Sequence, residues 1–175
     1  YEFLINRLPQ SQRTTFVKFE ATRYPPLFYY LSAIPYRFAS PLGLIDRVFV
    51  TRLFSVLVGV ITVWLAYLIG RLLFPRHLDA ITLALLVSFQ PMASFLFSSV
   101  TSDNLMNLFF TLFLYLCVKV IASRRLTSPL FIGFVLTIIA GLFTKPHFII
   151  IFPILLVLPL FLFKHLLAYL KRRKL

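Results

Sequence analysis

The sequence predicts an all-α membrane protein with about five transmembrane helices and one short interfacial helix. Two compositional values support this fold class: 60% of the 175 residues are hydrophobic, and the mean hydropathy is +0.92. Both values lie outside the usual range of soluble domains. The third observation is a recurrence of long apolar stretches, since a bilayer core needs about 20 apolar residues per helical span. These stretches lie at residues 53–70, 80–98, 104–118, 130–144 and 147–163.

Composition also divides the chain into three parts. Residues 1–24 mix polar, basic and apolar side chains without clear periodicity, so we interpret them as part of the first extracytoplasmic loop. Residues 25–42 form an interfacial helix region, and residues 43–175 form a transmembrane helical bundle. Because residue 1 is Tyr1 and no signal-peptide pattern opens the chain, we expect a longer polypeptide and an incomplete bundle.

The interfacial helix is predicted from PPLFYYLSAIPYRF, residues 25–38. The two leading prolines suit a first helical turn, and we expect Pro35 or Pro41 to interrupt the helix. The segment is too short to span a bilayer. Its aromatic rings suit the headgroup region, so we expect this helix to lie flat at the membrane surface.

The predicted spans follow in order. The first runs over about 48–73, and the second runs over about 79–98, where Pro91 should kink it. The third span ends near Arg124, and the fourth and fifth form a hairpin around FTKPH, residues 143–147.

Charge predicts the orientation of these spans. Successive spans cross the membrane in opposite directions, so one side holds the links 71–79 and 123–128 and the C-terminal tail. All three segments are basic, which is typical of the cytoplasmic side. The opposite side then holds the first loop and the turns at Asp103 and Lys145. The first loop is also basic, but long loops follow the charge rule poorly.

Composition excludes several functions. The formal net charge of +13 arises from 18 Lys and Arg against 5 Asp and Glu, and in a membrane protein we assign it to lipid phosphates rather than nucleic acid. The single Cys117 can form no internal disulfide and supports no metal site. We find no phosphate-binding Gly-rich loop, no metal-ligand spacing and no Ser-His-Asp arrangement, which argues against ATP-driven work.

Two carboxylates are candidates for chemistry at the outer side. Asp103 lies in SSVTSDNLMN between two spans, where it can orient a hydroxyl, bind a metal or act as a general base. The alternative is that Ser102 or Asp103 only caps the third span. Glu20 can approach the same place if the interfacial helix lies flat, and the alternative is a solvated loop charge.

Cations near the same side are candidates for binding a lipid phosphate. Lys145 interrupts two apolar spans and suits a phosphate partner, although Lys145 and His147 can simply extend to water at a hairpin tip. Arg47 and Arg52 can hold a phosphate in two-point fashion or anchor the helix at the interface. We include His147 and Tyr29 in the binding set, although for His147 alone a structural role is simpler.

Four segments carry a family resemblance through their order: YPPLFYYLSAIPYRF, RLFSVLVGVITVWLAYLIGRLLFP, FQPMASFLFSSVTSDNLMNLFFTLFLYL and GLFTKPHFIIIFP. In this order they resemble the membrane-embedded C-type (GT-C) glycosyltransferases, specifically relatives of the protein O-mannosyltransferases. The resemblance covers roughly residues 19–160. The Pro-Pro-Leu and acidic-turn segments are its most specific parts. An uncharacterised group of bacterial membrane proteins carries the same pattern.

The resemblance implies that the chain is a fragment of a larger GT-C-type helical bundle in the bacterial cytoplasmic (inner) membrane. It implies inverting transfer of a sugar from a polyprenyl-phosphate carrier to a protein, lipid or glycan acceptor at the outer face. The principal carboxylate would precede Tyr1, Asp103 would match the family's second acidic position, and Lys145 and the arginines would lie near the carrier phosphate. Whether a divalent cation takes part is left open, and we assign no metal ligands.

A non-enzymatic membrane protein is the competing interpretation, either a transporter or flippase of lipid-linked sugars or a scaffold. Transporters place broken helices and polar groups at the membrane midplane, and here only Gln90 and Pro91 fit that description. Basic, lipid-facing residues would be shared by a flippase and a transferase.

Overall fold

The computed structural model describes residues 25–157, and this range is helical without strands. The α-helices are α1 Leu27–Phe38, α2 Leu44–Leu73, α3 His77–Phe89, α4 Pro91–Ser98, α5 Ser102–Ser123 and α6 Ser128–Thr144, and a 3-10 helix, Pro146–Ile151, opens a last helical segment that continues to Val157. The all-α prediction is confirmed for this range. The predicted loop 1–24, with Glu20, lies outside the described residues.

The short helix predicted after the double proline is α1. Pro26 is its N-cap residue, and Pro35 lies inside the helix without interrupting it. Helical hydrogen bonding resumes at once, since the Ala39 N–H donates to the Pro35 carbonyl at 3.1 Å. The helix ends at Phe38, ahead of Pro41. Its position at the membrane surface stays a prediction.

The prediction of five spans is wrong for the described residues. Two helices, α2 and α5, are long and apolar enough to cross a membrane, and the pair α3 and α4 makes a third span if it is counted as one. That pair is bent by 65° at Gln90, where Pro91 starts α4, so the predicted kink is confirmed.

The predicted fourth and fifth spans are not found as full spans within the described residues, for a separate reason. Lys145 is extended (φ −157°, ψ 133°) and Pro146 follows it, so α6 stops after 17 residues. A helix of this length covers about 26 Å, less than the roughly 30 Å of a hydrocarbon core. The predicted fifth span, 147–163, is described only as far as residue 157.

Helix α2 is the central element, because α1, α3, α4 and α5 all pack against it. Two of its glycines allow neighbouring helices to approach α2 closely. Small residues are common at helix contacts inside membranes, where the hydrophobic effect does not drive helices together. A Cβ on Gly70 would lie 2.7 Å from the Ala80 Cα of α3, and a Cβ on Gly59 would lie 2.5 Å from the Phe97 ring of α4.

Two apolar clusters fix the remaining helices. The larger one joins α5, α6 and the 3-10 helix, and its buried members are Phe113, Leu116, Cys117, Val120, Phe134, Phe148 and Ile151. The smaller one joins α1, α2 and α5 through Phe28, Val58 and Leu105. The start of α5 is therefore held between α1 and α2, close to where α6 ends.

Candidate active site

An ion pair joins the two charged residues that stood out in the sequence. The Lys145 Nζ lies 2.5 Å from the Asp103 Oδ1, although the two residues are 42 positions apart. The side chains are 14% exposed for Lys145 and 37% exposed for Asp103. Pairing offsets the cost of removing these two charges from water.

The start of α5 positions the Asp103 carboxylate. Thr101 is the N-cap residue, and its extended backbone lets its Oγ1 accept from the Asp103 N–H at 3.4 Å. The same hydroxyl donates to the Asp103 Oδ2 at 3.3 Å. Asp103 lies in the first turn, where the helix dipole favours a carboxylate. The alternative that Ser102 or Asp103 caps this helix is wrong, because Thr101 does so.

The end of α6 positions the Lys145 ammonium. The Lys145 N–H donates to the Gly141 carbonyl, and the Phe148 N–H donates to the Lys145 carbonyl, both at 3.0 Å. The buried Phe148 ring packs where a side chain on Gly141 would otherwise be. Because the Lys145 ammonium pairs with Asp103 and its side chain is only 14% exposed, the alternative that Lys145 simply extends to water is wrong. His147 is exposed at this turn.

Asn104 is a site residue that sequence reasoning missed. It is 1% exposed, and its Nδ2 donates to the Ser55 carbonyl of α2 at 2.7 Å. Its Oδ1 and the Ser55 Oγ are buried without a hydrogen-bond partner among the described residues. An amide beside Asp103 at the start of an apolar span was the available signal. The contact anchors the Asp103 turn to α2.

Arg47 lies in the first turn of α2, and its side chain reaches back to the turn between α1 and α2. Its Nε donates to the Leu42 carbonyl at 3.0 Å, and its Nη2 donates to the Ser40 carbonyl. The guanidinium also lies 5.8 Å from the ring centroid of Tyr36. These contacts occupy guanidinium N–H groups of Arg47 that we expect from the sequence to bind a phosphate. They hold the Arg47 side chain against this turn instead.

Arg52 and Tyr29 keep more exposure. Arg52 lies beside an open groove on the outside of α2, which is lined by Leu44, Ile45, Val48 and Phe49. Tyr29 is 41% exposed and stands edge-to-face with Phe28 at 5.7 Å between ring centroids. Phe28 belongs to the smaller apolar cluster that packs around the start of α5.

The site combines two complementary chemical groups at one end of the bundle. A carboxylate can accept a proton or orient a hydroxyl, and an ammonium can bind a phosphate oxygen. Within residues 25–157, no three His, Cys, Asp or Glu side chains are grouped so that they could hold a metal ion.

Comparison with known proteins assigns the family. A family model described as dolichyl-phosphate-mannose-protein mannosyltransferase matches residues 23–174. The match includes every described helix and both members of the Asp103–Lys145 pair. No curated protein and no solved structure matches the chain. With its apolar helices, the chain is an integral membrane protein, and it belongs to the dolichyl-phosphate-mannose-protein mannosyltransferase family of glycosyltransferases.

Proposed function

We propose that the protein transfers a sugar from a polyprenyl-phosphate carrier to a protein, lipid or glycan acceptor, with inversion, at the extracytoplasmic face of a bacterial inner membrane. Family membership supports the sugar transfer. The observation that carries the assignment of residues is the Asp103–Lys145 pair, which puts a carboxylate and an ammonium together.

In the proposed reaction, an acceptor oxygen or nitrogen attacks the anomeric carbon from the face opposite the carrier phosphate. The bond from the anomeric carbon to the phosphate oxygen breaks, and polyprenyl phosphate leaves with the electron pair. A carboxylate takes the acceptor proton. We assign Asp103 to the family's second acidic position, which the resemblance implies, and not to the principal base. We assign Asp103 to orienting the acceptor and holding Lys145.

Lys145 stabilises the charge that grows on the leaving phosphate. An ammonium is a compact point charge with three donors, and a partly buried position strengthens its electrostatic effect relative to water. The carrier phosphate therefore competes with Asp103 for the same ammonium. In this proposal the ion pair keeps Lys145 oriented until the carrier arrives.

The face of α2 that points away from the bundle offers a binding place for the carrier phosphate. A groove on this helix is lined by Leu44, Ile45, Val48, Phe49 and the exposed Arg52. The carrier phosphate suits the guanidinium. Arg52 is better placed for this role than Arg47, whose guanidinium already binds backbone carbonyls.

The extracytoplasmic orientation is supported by the basic residues at the other end of the bundle. That end holds Arg71, Arg76, Arg124 and Arg125, and an excess of arginine near span ends favours the cytoplasmic side. The Asp103–Lys145 site then faces outward.

A lipid-linked sugar flippase is the second candidate, favoured by the 65° break at Gln90. Broken helices in transporters expose backbone groups that bind the cargo. Here the break is partly closed from within, because the Ser94 Oγ donates to the Ser88 carbonyl at 2.9 Å. Family membership supports sugar transfer, so the transferase is the better supported function.

The experiment measures transfer of a labelled sugar from polyprenyl-phosphate donors in membranes that contain the full-length protein. Asp103→Asn and Lys145→Ala should each lower transfer at least tenfold at equal expression, and Asp79→Asn and Lys119→Ala are matched controls elsewhere in the bundle. Full transfer by both site variants would reject the role of the pair. Donor movement across the bilayer without any transfer would favour the flippase.

A further inference from the structure

Three polar side chains meet where α2 ends and α3 begins, and the proposed reaction uses none of them. The Arg71 Nη1 lies 2.8 Å from the His77 Nδ1 and donates to the Tyr67 hydroxyl at 3.3 Å. The Tyr67 hydroxyl is also 3.2 Å from the His77 Nδ1, and the two rings stand edge-to-face. We name these residues the Tyr67–Arg71–His77 cluster.

The hydrogen bonds define which groups the cluster presents. A guanidinium can only donate, so the His77 Nδ1 bonded to it must accept, and the proton of the neutral ring is on Nε2. The remaining N–H groups of Arg71 and the His77 Nε2–H are then available as donors. Both residues are exposed. The cluster thus offers several donors and a positive charge to an anionic oxygen.

The positions of the carboxylates show that the Arg71 guanidinium has no acidic partner within the described residues. The chain has five acidic residues: Glu2, Glu20, Asp46, Asp79 and Asp103. Asp103 pairs with Lys145, and Asp46 is 25 residues before Arg71 on the same helix, which is about 38 Å of helix rise. Asp79 is the nearby carboxylate, and between residues 25 and 157 no salt bridge involves it.

The position of the cluster matches a membrane surface. Arg71 is 16 residues beyond Ser55, the residue that contacts Asn104, and this separation is about 24 Å of helix rise. That distance approaches the thickness of a hydrocarbon core. The cluster therefore lies near the interface opposite the Asp103–Lys145 site.

We propose that the Tyr67–Arg71–His77 cluster binds the phosphate of an anionic lipid headgroup. The guanidinium fork and the imidazole N–H supply the donors. No side chain caps the first N–H groups of α3, so they add further donors and a partial positive charge beside the cluster. Arg76, which precedes α3, extends the basic surface.

The surroundings favour a lipid over a soluble phosphate. Large apolar side chains flank the cluster and stay exposed, namely Leu73, Phe74 and Leu78, the last of which is 72% exposed. Acyl chains fit such surface, whereas an inorganic ion gains nothing from it. Basic groups beside a span bind anionic lipids with about 1 kcal/mol per Lys or Arg, or roughly fivefold in affinity.

Native mass spectrometry of the full-length protein in detergent tests the proposal, with phosphatidylglycerol as the probe and phosphatidylcholine of the same chains as reference. The wild type should retain phosphatidylglycerol preferentially. Arg71→Ala should reduce that retention about fivefold, and His77→Gln, which removes the ring but no charge, should reduce it by a smaller factor; Arg125→Ala, at the same end of the bundle, should have less effect than Arg71→Ala. Arg71→Lys should fall between, since it keeps charge without the fork.

Two results would overturn the proposal. Equal phosphatidylglycerol retention in the wild type, Arg71→Ala and His77→Gln would show that these residues do not bind the headgroup. Displacement of the lipid by millimolar inorganic phosphate, with equal retention of the two lipids, would assign the cluster to a soluble anion. Because His77 is exposed, His77→Gln keeps the test valid if Arg71→Ala fails to fold.

Discussion

The Phe148 ring occupies the space beside Gly141 where any other residue would place its Cβ. Phe148 follows Lys145 in the turn and is fully buried. The same turn carries the bonds from the Lys145 N–H to Gly141 and from the Phe148 N–H to Lys145. A packing contact inside the bundle therefore sets where the ammonium meets Asp103.

Gly141→Ala should disturb the site through this contact. The new methyl group would overlap the Phe148 ring, and overpacking of this kind costs about 1–3 kcal/mol. We expect a lower thermal unfolding temperature in detergent and reduced sugar transfer. Gly133→Ala is the matched control on α6, because its Cβ would meet the Leu116 methyl groups at an ordinary 3.5 Å. Equal stability of both variants would contradict this account of the turn.

Asn104→Ala should loosen α5 from α2. The substitution removes the buried hydrogen bond to the Ser55 carbonyl of α2, a loss of about 0.5–1.5 kcal/mol. Thermal unfolding of the purified protein measures it, with Asn107→Ala on the same helix as control. If Asn104→Ala unfolds at the wild-type temperature, the amide does not anchor the Asp103 turn.

The Asp103–Lys145 pair should show coupling in a double-mutant cycle. Lys145→Ala removes the partner of the Asp103 carboxylate, whereas the double variant with Asp103→Asn removes both charges. Since the Asp103 side chain is 37% exposed, solvent weakens the interaction, and we expect a coupling of about 1 kcal/mol. The free energies of unfolding of the four proteins give this value. Strict additivity would mean that the ion pair adds no stability.

Arg47→Ala should release α1 from the bundle. Its guanidinium binds the Leu42 and Ser40 carbonyls in the turn that joins α1 to α2. Without it, we expect amide hydrogen exchange in α1 to rise severalfold, because both hydrogen bonds are exposed to solvent and together contribute about 1 kcal/mol. Arg37→Ala, in the last turn of α1, controls for charge. Unchanged exchange would show that apolar contacts alone hold α1.

Local chemistry made several features predictable. Apolar composition is enough for a helical membrane protein, because a bilayer leaves few other ways to satisfy the backbone. Pro91 predicted the break in the second span, since proline removes a helical hydrogen bond. Lys145 and Asp103 stood out because isolated charges beside apolar spans are costly.

Other features depended on contacts between distant residues. Hydropathy predicted five spans, but the turn at Lys145 ends α6 early, and an apolar window does not show where a helix stops. Asn104 was overlooked because its partner is a backbone carbonyl 49 residues away, and a carbonyl has no sequence signature.

The residues alone established a helical membrane protein, a proline break and a set of unusual charges, because composition, hydropathy and proline geometry act locally. The packing of the helices decided three contacts. Asp103 pairs with Lys145, Asn104 binds the Ser55 carbonyl of α2, and Arg47 binds carbonyls of the turn between α1 and α2. Each of these contacts joins groups from separate helices or from either side of a turn, so their energies depend on distances that appear after folding.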